Sequence, residues 1–342
     1  MPSRGVHMGV RVGINGMGRI GRAFWRVCRT RSDLDVVAVN DLTDAATLAH
    51  LLRYDSIRGR LPAEVTSTDD AITVDGERIA MLHQPDPGTL PWGDLGVDVV
   101  LESTGRFFRA AEVSGHLRGG ASRVLISMSA PDPDITVIAG VNEHEYDPAR
   151  HRVVSPACCT SNAVAPILAV LGDEFGVRGG QLTTVHAYDS THSALHDSPY
   201  RNLRMGRNAA VNLVPSRIKG TTRALARVFP ELDGELEGLA VRVPTAIGCA
   251  ADLVLRLGTD VTPAAVNAAL AAAAAGRFKS LLGYTEDPIV SSDVIGRSES
   301  SVVDGQLTTV AGGSVKIISW YDNEWGFSHR LADVAALIGT PG

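Results

Sequence analysis

The sequence predicts an α/β protein in two parts. A doubly wound, mainly parallel unit is expected over residues 1–158, and an α+β unit with a mainly antiparallel sheet over 159–323. A closing helix within 324–342 is expected to complete the first unit. Short apolar runs alternate with helix-like segments before residue 158, the pattern of a parallel sheet covered on both faces. Beyond it the runs lengthen and partly alternate, as in a sheet with one covered face. A chain of 342 residues is long enough for two cores.

The elements follow in order. "VRVGING" (10–16) ends an apolar run at glycine and reads as a buried strand, with a helix expected from Arg19 to about Arg31. "LDVVAVND" (34–41) is a second strand, and "TDAATLAHLLRY" (43–54) a helix with Thr43 as its expected N-cap. "VDVVLEST" (97–104) and "SRVLISM" (122–128) are strands flanking helix-like "RAAEVSGHL". In the second half "GQLTTVHAY" (180–188), "LEGLAVRVPT" (236–245), "CAADLVLRLG" (249–258) and "GSVKIISWYDN" (313–323) are strands. The alanine-rich 262–277 is a helix capped by Thr262 with Pro263 in its first turn. Residues 189–223 show no clear periodicity, and unpatterned stretches of that length are usually functional.

Composition narrows the class. A net charge of −6 argues against binding nucleic acid by phosphate neutralisation. No apolar run approaches the ~18 residues of a membrane span, and "MPSRGVHMG" lacks a signal peptide's apolar core. Cysteines at 28, 158, 159 and 249 form neither a disulfide framework nor a C-x-x-C metal pair, so no metal site is expected. A reducing cytoplasm is the expected location.

Gly16-Met17-Gly18-Arg19-Ile20-Gly21 is a G-x-G-x-x-G that follows a predicted strand and opens a predicted helix. Asp41 stands at the end of the next strand. This is the context of a dinucleotide-binding (Rossmann) fingerprint. Gly16 permits the tight turn, Gly18 admits the pyrophosphate and Gly21 allows close helix–strand packing. The helix N-terminus supplies free amides for the phosphates. Asp41 accepts from the adenosine ribose and repels a 2′-phosphate, which favours NAD over NADP.

"SPACCTSNAVAP" (155–166) sets two cysteines side by side before a helix-like run. Adjacent cysteines are poor disulfide partners. Either both are small buried thiols, or one is a nucleophile. With a nicotinamide cofactor, a thiol in a helix's first turn suggests aldehyde oxidation through a thiohemiacetal and a thioester, released by water or phosphate. That chemistry calls for a lowered thiol pKa, to which the helix N-terminus contributes, and for a base. Cys159 and His186 in "TTVHAY" are the candidates.

From end to end the chain resembles the glyceraldehyde-3-phosphate dehydrogenase family. The resemblance rests on "VGINGMGRIGR", "AVNDLTDAATLAHLLRYDS", "VDVVLESTGRF", "CCTSNAVAP", "TTVHAY", "VRVPT", "LLGYTEDPIVSSD" and "WYDNEWGFSHR". It implies that Cys159 is the nucleophile, His186 the base, and Asn323 the residue that holds the nicotinamide carboxamide. Arg19, Ile20, Asp41, Ser103, Thr104 and Ser127 would line the NAD site. It further implies a homotetramer, with the unpatterned segment reaching a neighbouring subunit's cofactor.

The pattern breaks at the phosphate sites. The family's S-C-T-T-N reads Cys158-Cys159-Thr160-Ser161-Asn162 here, and H-A-Y-T-N-D-Q reads His186-Ala187-Tyr188-Asp189-Ser190-Thr191-His192. Arg242 is retained, but a carboxylate at 189 is electrostatically wrong for a substrate phosphate. Thr160 and Arg207 match the family's site for incoming phosphate, while its T-G region reads Ser216-Arg217-Ile218-Lys219-Gly220, about one residue longer. Arg201, Arg204, Arg207, Arg217, Lys219 and Arg223 either build a relocated anion site or serve partly as surface and interface charges. Pro85 and Phe327 replace a family arginine and tyrosine. The expectation is an NAD-dependent, thiol-mediated aldehyde dehydrogenase. The alternatives are a paralogue for an aldehyde without phosphate, and a non-catalytic NAD-binding regulator.

Overall fold

The computed structural model describes residues 9–189 and 202–340. They divide into two compact units. The first holds the described residues to Val137, His144–Pro156 and those from Ser328 on; the second holds Ile138–Glu143 and Ala157–Phe327. Residues 138–143 thus join the second unit, because Ile138 packs in its core.

The first unit is built on a nine-stranded sheet. Its strands run in the order 135–136, 153–155, 123–126, 99–102, 10–15, 34–40, 77–82, 71–74, 65–68. Pairing is parallel as far as 77–82 and antiparallel for the last two strands. Helices α1 (Arg19–Cys28), α2 (Ala45–Arg53) and α3 (Ala110–Arg118) belong to this unit. The central strands are apolar through their middles, and Ile14, Val100 and Leu125 are fully buried. Two details differ from expectation. The three strands over 65–82 are too short and polar to stand out, yet Asp75 (φ 49°) and Gly76 (φ 85°) make the two-residue turn that pairs the last two. Asp44, not Thr43, caps α2, accepting from the Thr47 amide at 2.8 Å.

The second unit carries a seven-stranded sheet in the order 214–217, 236–243, 177–187, 249–257, 314–321, 301–311, 282–285. Four of its six pairings are antiparallel. Helices α4 (Cys159–Phe175), α5 (Lys219–Val228) and α6 (Pro263–Ala275) belong to this unit, whereas α7 (Trp325–Gly339) belongs to the first unit from Ser328 on. Alternation directs Leu182, Thr184, His186, Ala251, Leu253, Ile317 and Tyr321 inward, onto a core shared with buried α4. Thr262 caps α6 by accepting from the Ala265 amide at 3.2 Å, with Pro263 in the first turn. The expected loop over 189–223 instead ends in strand 214–217 and the start of α5. That edge strand is four residues long and contains Pro215, so it has no legible period.

Candidate active site

In the first unit, the carboxyl ends of the parallel strands open into a cavity of about 230 Å³. Asn15, Gly16, Gly18, Asn40, Asp41, Ser103 and Thr104 line it, with Leu42 and Pro85 among its apolar walls. Gly16 has φ 98°, and a Cβ there would meet the Thr104 amide nitrogen at 2.7 Å. A Cβ on Gly21 would sit 2.3 Å from the Gly16 carbonyl oxygen, whereas at Gly18 it would meet nothing within 4 Å. The loop is therefore held against the protein at its two ends and open in the middle, as a pyrophosphate cradle must be. Asp41 accepts from the Met17 amide at 2.7 Å and from the Thr43 amide at 2.9 Å. A carboxylate has further lone pairs, and Asp41 lines the cavity, so it can also meet a ribose hydroxyl. These residues fit NAD. Arg19, Ile20 and Gly21 form the first turn of α1 beyond the cavity lining, and Ser127 follows strand 123–126.

In the second unit Cys159 opens α4, preceded by Ala157 at φ 61°. An alanine in the left-handed region costs roughly 1–2 kcal/mol and is held only by its surroundings; this one is completely buried. The Cys159 sulfur lies 3.5 Å from His186 Nε2. His186 Nδ1 is 2.7 Å from the Ala187 carbonyl oxygen. A carbonyl only accepts, so Nδ1 carries the hydrogen and the neutral ring turns its Nε2 lone pair toward the thiol. His186 is 5% exposed, at the inner face of its strand.

Burial opposes ionisation of the thiol. Cys159 keeps part of its surface open. Even so, the protein around the sulfur desolvates the charged form and pushes its pKa well above the ordinary thiol value. The neighbouring Cys158 and Cys249 sulfurs add to this, while the Arg242 guanidinium and the Thr160 hydroxyl oppose it. His186 Nε2, at 3.5 Å, is the acceptor within reach of the thiol proton.

The remaining predicted residues separate into groups. Cys158 Sγ lies 3.3 Å from Ser161 Oγ and 3.3 Å from Thr221 Oγ1. This brings the first turns of α4 and α5 together. Lys219 and Gly220 are exposed in the same turn of α5, and Arg207 is also exposed. Thr160 is buried, its hydroxyl 2.9 Å from that of Tyr321, so it is directed inward rather than toward an incoming anion. Arg242 donates to the Ala187 carbonyl at 3.3 Å and forms an ion pair with Asp189 at 3.2 Å. Asn323 accepts from the Gly248 amide at 3.2 Å. Thr191 and Arg201 lie outside the described residues.

Sequence reasoning missed Thr221, Tyr321 and Thr184. Tyr321 bridges the hydroxyls of Thr160 and Thr184 at 2.9 and 2.7 Å and presents its ring edge-on to His186, 6.1 Å between centroids. Strand alternation could have placed Tyr321 and Thr184 on the inner face, but no local motif marks the contact.

The glycine cradle with Asp41 in one unit, and a cysteine beside an imidazole in the other, are the features of a class: the NAD-dependent oxidoreductases. Residues 10–110 match the glyceraldehyde 3-phosphate dehydrogenase NAD binding domain, and residues 158–323 the C-terminal domain of the same family. The chain is 52% identical to glyceraldehyde-3-phosphate dehydrogenase of Streptomyces coelicolor, over 97% of this chain and 99% of that one. It is 50% identical to glyceraldehyde-3-phosphate dehydrogenase 2 of Streptomyces avermitilis, over 97% and 99% of the two chains. To the Geobacillus stearothermophilus enzyme it is 49% identical, over 98% and 100%. The chain belongs to the glyceraldehyde-3-phosphate dehydrogenase family and is an NAD-dependent aldehyde oxidoreductase of that type. Among the described residues no helix is long and apolar enough to cross a membrane.

Proposed function

We propose that Cys159 attacks the aldehyde of glyceraldehyde 3-phosphate while His186 Nε2 takes the thiol proton. The single observation that carries this is the 3.5 Å approach of Sγ to Nε2, with Nδ1–H tied to the Ala187 carbonyl. The imidazolium returns that proton to the former aldehyde oxygen, which gives a thiohemiacetal on sulfur and a neutral His186. His186 then accepts the hydroxyl proton as the carbon loses its hydrogen as hydride and the thioester forms; NAD, when bound, would supply the hydride acceptor. Asn323 would hold its nicotinamide carboxamide. Inorganic phosphate then attacks the thioester carbonyl, releasing an acyl phosphate and the thiolate. The joined first turns of α4 and α5 offer amide dipoles for that anion, with Lys219 and Arg207 as basic groups of the same segment.

The Asp189–Arg242 pair favours a second reading of the substrate, an aldehyde without a terminal phosphate. A panel of phosphorylated and plain aldehydes, assayed with NAD in the presence and absence of phosphate, decides between them. Acyl phosphate formation from glyceraldehyde 3-phosphate supports the first reading. NADH production that ignores phosphate overturns phosphorolysis, and a lack of any NADH overturns both.

The assembly is a homotetramer in the cytoplasm. Exposed Val185, Leu239 and Val254 lie on the outer face of the second unit's sheet, an apolar surface suited to a like subunit. Four free cysteines suit a reducing compartment.

A further inference from the structure

Beneath the dinucleotide cavity lies a buried row of polar side chains that the chemistry above does not use. Asn15, Asn40 and Glu102 each end a parallel strand, and they stand in register, Asn15 facing Asn40 on one side and Glu102 on the other. Asn40 Nδ2 donates to Asn15 Oδ1 at 2.7 Å, and Asn15 Nδ2 donates to Glu102 Oε2 at 2.6 Å. Glu102 is 1% exposed and also receives the Thr104 amide at 2.9 Å and the Thr104 hydroxyl. Its remaining partner is His116, fully buried, with Nε2 at 3.0 Å.

The direction of each bond follows from Trp92. Its indole N–H can only donate, and it lies 2.9 Å from His116 Nδ1. Nδ1 is therefore an acceptor and Nε2 carries the hydrogen toward Glu102. Two donor chains then converge on one carboxylate, Trp92 through His116 and Asn40 through Asn15, and with the Thr104 amide and hydroxyl Glu102 receives four donors. Three members of the row, Asn15, Asn40 and Thr104, line the cavity itself.

We infer that Glu102 and His116 are positioning residues for the cofactor: they set the shape of the dinucleotide cavity through Asn15, Asn40 and Thr104 without touching the ligand. A carboxylate at the end of the middle strand's neighbour is the only partner type that accepts from an asparagine, a threonine and an imidazole together. His116 holds that carboxylate in place, and Trp92 selects the tautomer that can do so.

NAD titrations by calorimetry test this on folded protein. Glu102→Gln puts donors against donors, and His116→Leu removes one donor. Each should raise the Kd for NAD about 10-fold or more, the loss of one to three buried hydrogen bonds. His116→Gln keeps an N–H for Glu102 and should stay within about 3-fold of wild type. The alkylation rate of Cys159 should not change in any of them. Folded Glu102→Gln and His116→Leu proteins with wild-type NAD affinity would overturn the inference, whatever their melting temperatures. ¹⁵N spectra of histidine-labelled wild-type protein decide the point independently of the variants. An Nε2–H tautomer at His116 supports the row, and an Nδ1–H tautomer overturns it.

Discussion

Arg242 directs its Nη1 at Asp189 Oδ2, 3.2 Å away, so the guanidinium's charge is already matched by a carboxylate at the end of strand 177–187. Both side chains are mostly covered, at 15% and 22% exposure. A phosphate dianion brought to Arg242 therefore meets Asp189 as well. At ~4 Å and an effective dielectric of ~20, each unit-charge pair is worth about 4 kcal/mol before screening. Asp189→Thr should lower the KM for glyceraldehyde 3-phosphate about 10-fold or more and leave that for unphosphorylated glyceraldehyde nearly unchanged. Steady-state kinetics on both substrates checks this. Equal KM values in variant and wild type would place the substrate phosphate away from the pair.

The two adjacent cysteines should behave differently. Cys159 faces His186, whereas Cys158 faces the hydroxyls of Ser161 and Thr221. Cys159→Ser should lose at least ~10³-fold in kcat, because a serine hydroxyl is far less ionised than a thiol beside an imidazole. Cys158→Ser should retain most activity, since a hydroxyl can keep both polar contacts. Rates measured on purified variants decide, and a reversal of the two results sinks the assignment.

Thiol alkylation gives a pH test whose sign is set by burial. The reactive form is the thiolate, and desolvation raises the Cys159 pKa. Its fraction, and so the iodoacetamide rate, should climb as pH rises through the alkaline range. His186→Gln removes the proton acceptor at 3.5 Å. It should shift that climb to higher pH and cut kcat by about 10²–10⁴-fold. Cys249, pushed up to about 12 by burial, should stay unmodified at pH 8 in folded protein. Mass spectrometry of alkylated peptides reads all of these.

Asp41 should select the cofactor. It lines the dinucleotide cavity and ties down both Met17 and Thr43. A 2′-phosphate placed near it is repelled, so NAD should be preferred over NADP. Asp41→Ala should raise the Kd for NAD about 10-fold, through lost hydrogen bonds to the ribose and a looser glycine turn. Comparable wild-type turnover with the two cofactors is the result that contradicts this.

Much of the fold was legible because its signals are local. The glycine turn after residues 10–15 and the Thr262-Pro263 helix start depend on neighbours a few residues away. The hairpins over 65–82 and the strand 214–217 escaped notice, since short half-exposed edge strands carry almost no period. Asp44, one residue on from Thr43, caps α2 because its carboxylate reaches both the amide and the hydroxyl of Thr47.

By itself, the sequence determined the alternation of strands and helices and the glycine cradle with Asp41, and it singled out Cys159 and His186 as candidates. Residue type and spacing are sufficient for these, because each motif lies within one turn or one strand end. The tertiary structure alone decided what those groups meet. It set the His186 tautomer through Ala187, turned Thr160 toward Tyr321, and joined α4 to α5 at Cys158. It also surrounded the Cys159 sulfur with protein, whose desolvation raises the thiol's pKa. Each of these depends on burial or on partners far apart in the chain. Desolvation and hydrogen-bond geometry are properties of three-dimensional neighbours, which no local pattern encodes.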